Sequence, residues 1–290
     1  MSLHVIVTAF NPDPALLERA VASALFCDGV ERVSIVDDGS AVPVKCPVSD
    51  KRVEIVHRQN GGPSAARNTG LDLVRSDHAM MLDDDDELIA EGVAEALSLA
   101  TRLGAVGALV GRIEARHDGS VCSRLAPAEW AGKSMPRPGD AFRPIQIFNA
   151  SGTLISRHAI DLGLRYEETL WVVEDREFIR RLAEVGPIAI TQGAAVRSGV
   201  RPGGVRLTSA ANLVKRAKGH ASMMSKWLDA ESEPHFRDAT LWLLNAMSKS
   251  GLSRDATFVA LYAEALERGW IGPLRRLKLR RRALFRRPSA

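Results

Sequence analysis

Cysteine is scarce in this chain and membrane-length apolar runs are missing. The three cysteines, Cys27, Cys46 and Cys122, stand far apart among 290 residues. An odd, dispersed set supports neither a disulfide framework nor a zinc site, so the sequence predicts a reducing, cytoplasmic setting. The seven histidines are scattered without metal-ligand spacing. No apolar stretch is long enough to span a bilayer. The opening residues, Met1 to Val7, lack a basic segment and a cleavage site, and read as a first strand, not a signal peptide. In the glycine-rich stretch Asn60 to Gly70, neither the P-loop pattern nor G-x-G-x-x-G is matched.

What is present suffices for a packed core: 46% of the residues are hydrophobic, enough for one large domain or two small ones. The net charge of +4 is unevenly spread. Arg275, Arg276, Lys278, Arg280, Arg281, Arg282, Arg286 and Arg287 crowd the last residues, and without them 31 basic residues face 35 acidic ones. With Leu274, Leu277, Leu284 and Phe285 among them, residues 274–290 resemble an interfacial helix that contacts anionic lipid headgroups, or else a solvated basic tail. Interleaved stacking aromatics are lacking there, which argues against nucleic acid as a partner.

Along the first half, short apolar strands alternate with helical patterns, the signature of a mainly parallel sheet flanked by helices. Strands are predicted at Leu3–Thr8, Val33–Val36, Val53–Val56, Ala79–Leu82, Ala105–Ala115, Phe148–Ile155 and Ile188–Thr191. Helices are predicted at Asp13–Phe26, Pro63–Val74, Ile89–Arg102 and Asp175–Val185. Arg116 to Arg143 reads as a loop-rich excursion, and Arg197 to Gly204 as a mobile Gly/Pro-rich stretch. Beyond Leu207 the strand signals stop, and Ala210–Leu228, Phe236–Ser248 and Ala256–Arg268 read as three helices. We place a domain boundary near residue 206, dividing the chain into residues 1–206 and a helical region of 207–290.

The sharpest local signal is Met80-Met81-Leu82-Asp83-Asp84-Asp85-Asp86-Glu87, an apolar run that ends in five consecutive acids. A buried strand cannot carry those charges inside, so they sit where it emerges. The carboxyl end of a parallel strand is the usual ligand crevice, and clustered carboxylates there suit a hard divalent cation, which commonly brings a phosphate with it. A solvated acidic turn is the plain alternative. Val36-Asp37-Asp38-Gly39-Ser40 ends the second strand as a turn, or as a carboxylate beside that crevice. Gly61-Gly62-Pro63 reads as plain helix entry with a surface arginine at Arg67, or as a backbone N–H array open to an anion with Arg67 directed at base or phosphate. Trp171-Val172-Val173-Glu174-Asp175 precedes a helix; its acids read as caps, or as a general base in a partly apolar wall.

Taken in order, Val7-Thr8-Ala9-Phe10-Asn11, Val36-Asp37-Asp38-Gly39-Ser40, Ala66-Arg67-Asn68 within Asn60 to Gly70, and Leu82-Asp83-Asp84-Asp85-Asp86 resemble inverting glycosyltransferase family 2, of the GT-A fold. Glu174-Asp175 falls where that family keeps its catalytic acid. The resemblance covers about residues 3 to 200. It implies an α/β fold with a Rossmann-like, mainly parallel sheet and a C-terminal helical extension. It also implies a nucleotide-diphospho-sugar donor, with Ala9, Asn11, Asp38 and Arg67 lining the nucleotide pocket. Asp83 and Asp85 match the outer acids of the Asp-X-Asp motif, with Asp84 between them in the donor site. Asp85 would carry most of the contact to Mn²⁺ or Mg²⁺, Asp83 would lie near the ribose or donor sugar, and Asp175 would be the general base. The family often has an aromatic where this chain has Met80-Met81, and Val196 to Arg201 matches its closing loop loosely. A Gln-X-X-Arg-Trp segment is absent, which argues for addition of a single sugar over a processive synthase.

The expected acceptor is a glycan or a lipid-linked molecule at the inner face of the cell membrane, and a UDP-sugar is the favoured donor. Two other readings compete. A nucleotidyltransferase on a related sheet would need a glycine-rich loop with Arg and Lys after the first strand, where Asn11-Pro12-Asp13-Pro14 stands. A non-catalytic sugar-nucleotide-binding membrane adaptor would have lost acids that are present at Asp85 and Asp175.

Overall fold

A computed structural model describes residues 1–115, 120–135, 138–142, 149–170, 172–199, 212–230 and 232–272. Trp171, Phe148, the Val200 to Gly204 stretch, parts of the Arg116 to Arg143 excursion and the basic residues 274–290 lie outside the described residues. The chain divides into two compact units. One comprises Met1–Ala141, Ile145–Thr169 and Asp175–Gly204; the other comprises Phe142–Pro144, Leu170–Glu174 and Val205–Ala290.

The first unit is built on a sheet that, among the described residues, has ten strands: β1 (Leu3–Ala9), β2 (Val30–Asp37), β3 (Val53–His57), β4 (His78–Asp83), β5 (Asp86–Leu88), β6 (Gly107–Ala115), β7 (Val121–Arg124), β8 (Lys133–Ser134), β9 (Leu154–Ser156) and β10 (Ile188–Ser198). The main order is β3-β2-β1-β4-β9-β6-β10-β5, with β7 beside β6 and β8 beside β10. The strands β3, β2, β1 and β4 run parallel, as do β6 and β10. β9 enters antiparallel between β4 and β6, and β5 closes antiparallel on β10. Helices α1 (Pro14–Phe26), α2 (Pro63–Leu73), α3 (Ala90–Leu103), α4 (Arg157–Asp161) and α5 (Glu174–Val185) complete the unit.

Period-two alternation divides the core between the faces. Leu3, Val5 and Val7 of β1 with Met80 and Leu82 of β4 join Leu17, Val21 and Val93 of α1 and α3. Ile6 with Ala79 and Met81 join Ala66, Leu71, Phe178 and Leu182 of α2 and α5. Asp13 caps α1 by accepting from the N–H of Ala15 at 2.9 Å and of Leu16 at 3.2 Å. Gly70 lets α2 lie on β1, because a Cβ there would overlap the Ile6 side chain.

Three predicted elements change. The strand expected at Phe148–Ile155 is only Leu154–Ser156. Before it, the chain turns: Thr153 N–H donates to the Ala150 carbonyl at 2.9 Å, and Gly152 takes φ +87°. The short strand expected at Ile188–Thr191 runs on to Ser198. Its register on β6 shifts twice, and Glu95 of α3 accepts the N–H of Gln192 at 2.7 Å and of Gly193 at 3.1 Å. Such bulges break the alternation that marks a strand in sequence. Finally, Asp86 and Glu87 belong to the short strand β5, not to a turn.

The second unit holds α6 (Leu213–Trp227), α7 (Glu233–Lys249) and α8 (Ala256–Glu267) around Ala217, Met223, Phe236, Leu244, Met247, Phe258 and Leu261. His220 Nε2 pairs with Thr240 Oγ1 at 2.8 Å, joining α6 to α7. Trp270 Nε1–H donates to Glu233 at 2.8 Å. Among the described residues no helix is long and apolar enough to cross a membrane.

Candidate active site

The carboxyl ends of β1, β2 and β4 gather the polar groups. Asp37, the last residue of β2, is buried. It accepts the N–H of Ser40 and of Val44, each at 3.0 Å, and pairs with His57 Nδ1 at 2.9 Å. Burial works against its ionisation, but the hydrogen bonds from Ser40, Val44 and His57 hold its carboxyl below the ordinary value. Asn11, at φ +47°, donates its N–H to Ser40 Oγ at 2.8 Å and accepts from Ala41 N–H at 2.9 Å. Ala9 accepts Asp38 N–H at 2.9 Å. The loops leaving β1 and β2 are thereby tied together.

Asp38 is 4% exposed, and its carboxylate is engaged inside the protein. It accepts the N–H of Gly61 at 3.0 Å and of Gly62 at 2.8 Å, and forms an ion pair with Arg58. The acid builds the turn that opens α2. Gly62 takes φ +87° as that helix's N-cap, ahead of Pro63. Arg58, one residue beyond β3, was not singled out in the sequence. Its signal was a lone base at the carboxyl edge of the sheet.

Arg67 projects from α2, 5% exposed, and donates to Asp83 at 3.3 Å. Its guanidinium carbon lies 5.3 Å from the centre of the Tyr166 ring. Asp83 ends β4, with its side chain one-third exposed. Asp84 is buried, Asp85 half-buried and Asp86 buried. Four neighbours hold this acidic segment. Ser151 Oγ accepts Asp83 N–H at 3.3 Å, and Gly199 N–H donates to Asp86 at 3.2 Å. From α1, Ser23 Oγ accepts Leu88 N–H at 2.9 Å, and Arg19 pairs with Glu87. A Cβ on Gly199 would overlap the Asp85 carbonyl, so only glycine fits there.

Burial raises the Asp86 carboxyl to about 7, and the charges of Asp83 and Asp85 add to the effect. A hydrogen bond from Ser151 and the charge of Arg112 act the other way. Carboxylates gathered in one segment are the oxygen donors that suit a hard divalent cation. Among the described residues, no trio of His, Cys, Asp or Glu side chains already forms a complete coordination site. In the sequence Asp86 has no role of its own, and Ser151 stands only within the segment Asn149 to Gly152, expected to help select the sugar. The first looked like one more acid in a run, and the second gains meaning only from a partner far away in the chain.

Asp175 is the second residue of α5, half-buried, and its carboxylate accepts the N–H of Arg176 at 2.8 Å. Glu174 before it is buried, and Val173 takes φ +70°. Phe178, one turn on, stacks on Tyr166 with ring centres 3.9 Å apart. Glu177 is buried and paired with Arg181 at 2.7 Å. Asp38, Arg67, Asp83, Asp85 and Asp175 thus belong to the same unit.

A family comparison matches residues 4–161, more than half of the chain, to Glycosyl transferase family 2. Over 113 residues the sequence is 34% identical to "Succinoglycan biosynthesis protein ExoW" of Rhizobium meliloti (strain 1021). That match covers 36% of this chain and 35% of the relative, so the chain spans about a third of that protein's length. Among solved structures, S. aureus TarS 1-349 is similar with a TM-score of 0.53 at 17% identity, covering 93% of this chain and 92% of that one. The complexes of TarS 1-349 with UDP and with UDP-GlcNAc give the same TM-score of 0.53, at 16% and 18% identity. Each covers 93% of this chain and 92% of its own. At such identities the likeness is one of fold.

Proposed function

Because this chain belongs to glycosyl transferase family 2, we propose that it moves one sugar from a nucleotide-diphospho-sugar to a hydroxyl of a glycan or lipid-linked acceptor, with inversion at the anomeric carbon. The observation that carries this reading is the acidic segment Asp83 to Asp86 at the end of β4, with Arg67 reaching Asp83 beside it. Ala9, Asn11, Asp38 and Arg67 line the nucleotide side, and Asp83 and Asp84 the donor sugar. TarS binds UDP and UDP-GlcNAc in its solved complexes, which supports a UDP-sugar here. ExoW takes its name from succinoglycan biosynthesis, which supports a polysaccharide or its lipid-linked precursor as acceptor. Residues 1–206 act as the catalytic domain and 207–290 as a helical region whose basic end, 274–290, touches anionic lipid.

The chemistry divides among the side chains. An acceptor hydroxyl is a poor nucleophile at neutral pH, so the Asp175 carboxylate takes its proton as the oxygen attacks. Help of that kind typically contributes ~10²–10⁴-fold. Attack comes from the face opposite the diphosphate; the new C–O bond forms as the old one breaks, and the electron pair leaves on the diphosphate. Arg67 faces that growing charge. A Mn²⁺ or Mg²⁺ held by Asp85 would neutralise the diphosphate without a proton. Holding donor and acceptor side by side lowers the entropic part of the barrier.

Incubation with UDP-sugars and Mn²⁺ tests the reading. Nucleoside diphosphate should be released, Asp85→Ala should abolish release, and Asp175→Asn should lower transfer ~10²–10⁴-fold while UDP still binds. Release of sugar 1-phosphate, from attack on phosphorus instead of carbon, would make the protein a nucleotidyltransferase. Unchanged binding to anionic vesicles after removal of residues 274–290 would exclude the lipid contact.

A further inference from the structure

Tyr166 follows α4 in the chain, is 3% exposed, and is gripped by two helices. Its ring stacks on Phe178 of α5, with centres 3.9 Å apart and planes 8° from parallel. The guanidinium of Arg67, on α2, lies over the same ring at 5.3 Å, within cation–π range. Its backbone is held by Asn68, the neighbour of Arg67. Asn68 Oδ1 accepts Tyr166 N–H at 2.7 Å, and Nδ2 donates to the Tyr166 carbonyl at 3.0 Å. From α5, Arg181 donates to the Arg165 carbonyl at 2.5 Å. The segment is therefore clamped from α2 on one hand and α5 on the other.

These two helices carry different parts of the reaction assigned above, and this inference rests on that assignment. Arg67 faces the donor, and Asp175 sits one turn before Phe178. A flat aromatic ring has few rotamers and offers a large rigid surface, so one side chain can fix both neighbours at little entropic cost. We propose that Tyr166 is a positioning residue for sugar transfer: its ring aims the Arg67 guanidinium toward Asp83 and sets the first turns of α5, and with them Asp175. Phenylalanine keeps the stacking on Phe178 and the ring face toward Arg67, and leucine keeps neither.

The test compares full-length wild type, Tyr166→Phe and Tyr166→Leu in UDP titration calorimetry with Mn²⁺ and in steady-state transfer from a UDP-sugar. Tyr166→Leu should weaken UDP binding about tenfold through Arg67 and lower kcat at least about tenfold through Asp175. Tyr166→Phe should keep both closer to wild type than Tyr166→Leu does. A folded Tyr166→Leu protein with wild-type UDP affinity and kcat overturns the proposal, as does a phenylalanine variant as impaired as the leucine one. Should Tyr166→Leu fail to fold, Phe178→Leu replaces it. It should lower kcat with UDP affinity unchanged, and loss of neither overturns the proposal. Failure of the underlying assignment looks different: Asp175→Asn would then transfer sugar as well as wild type does.

Discussion

The two units differ in what they bury. The sheet unit encloses Asp37, Asp38, Arg67, Asp84, Asp86 and Glu177. The helical unit encloses mostly apolar groups with His220, Ser232, Thr240 and Ser248, and Glu174 is the buried acid that clusters with it among the described residues. Taking a charge out of water costs several kcal/mol unless partners compensate. A chain that keeps such charges at the carboxyl ends of its strands accepts instability where reactants need ionised groups. The helical unit leans the other way: apart from Glu174, the polar groups it buries among the described residues are three hydroxyls and one imidazole. Among the described residues each unit nevertheless holds one buried imidazole, which allows a like-for-like comparison.

The largest expected effect lies in the sheet unit. Asp38→Ala strands the half-buried Arg58 and frees the N–H groups of Gly61 and Gly62. It should cost ~3 kcal/mol or more in urea unfolding and weaken UDP binding as well. In the helical unit, Leu244→Ala empties a fully buried site. It should cost a similar ~2–5 kcal/mol but leave UDP affinity alone. Equal loss of affinity in both variants would break the contrast.

A smaller effect should appear with acid. His4 and His220 are each lowered from 6.5 to about 4, chiefly by burial. Around His4, Glu54 raises the value while Arg32 and Arg75 lower it; around His220, a backbone hydrogen bond at Phe236 raises it. Folding keeps both rings neutral, whereas the unfolded chain binds protons below 6.5. Their contribution is thus complete above pH 6.5 and is lost as the pH falls toward 4. Between pH 7 and pH 5 each should cost about 2 kcal/mol. Unfolding of His4→Gln and His220→Gln at both pH values should each show a shallower loss than wild type. Least of all, Asp161→Ala removes an exposed pair with Arg157 in α4 and should change stability by ~0.5 kcal/mol or less.

Strands β1 to β4 were legible as short apolar runs, and helices α1 to α3 and the three C-terminal helices from their helical patterns. The acidic segment was legible as a break from apolar to charged residues. Other features were hidden because their cause is a partner distant in sequence. Asp38 reads as half of an Asp-Gly turn until Gly61 and Gly62 are seen on its oxygens. Tyr166 drew no reading from the sequence; its place is set by Arg67 and Phe178 meeting on its ring. β9 looked longer because Ala150 and Thr153 suit a strand as well as a turn, and the hydrogen bond between them decides the matter.

The bulges of β10 carry a consequence of their own. From Ile190 to Ser198 this strand advances eight positions while β6 advances five, from Leu109 to Glu114. The surplus is odd, so the two ends of β10 are out of phase with respect to β6. Gly199 therefore meets Asp86 by virtue of residue count as well as residue type. A relative with one residue fewer near Gln192 could display every recognisable motif and still present the wrong edge to its acids. Spacing between motifs is thus as informative about competence as the motifs themselves.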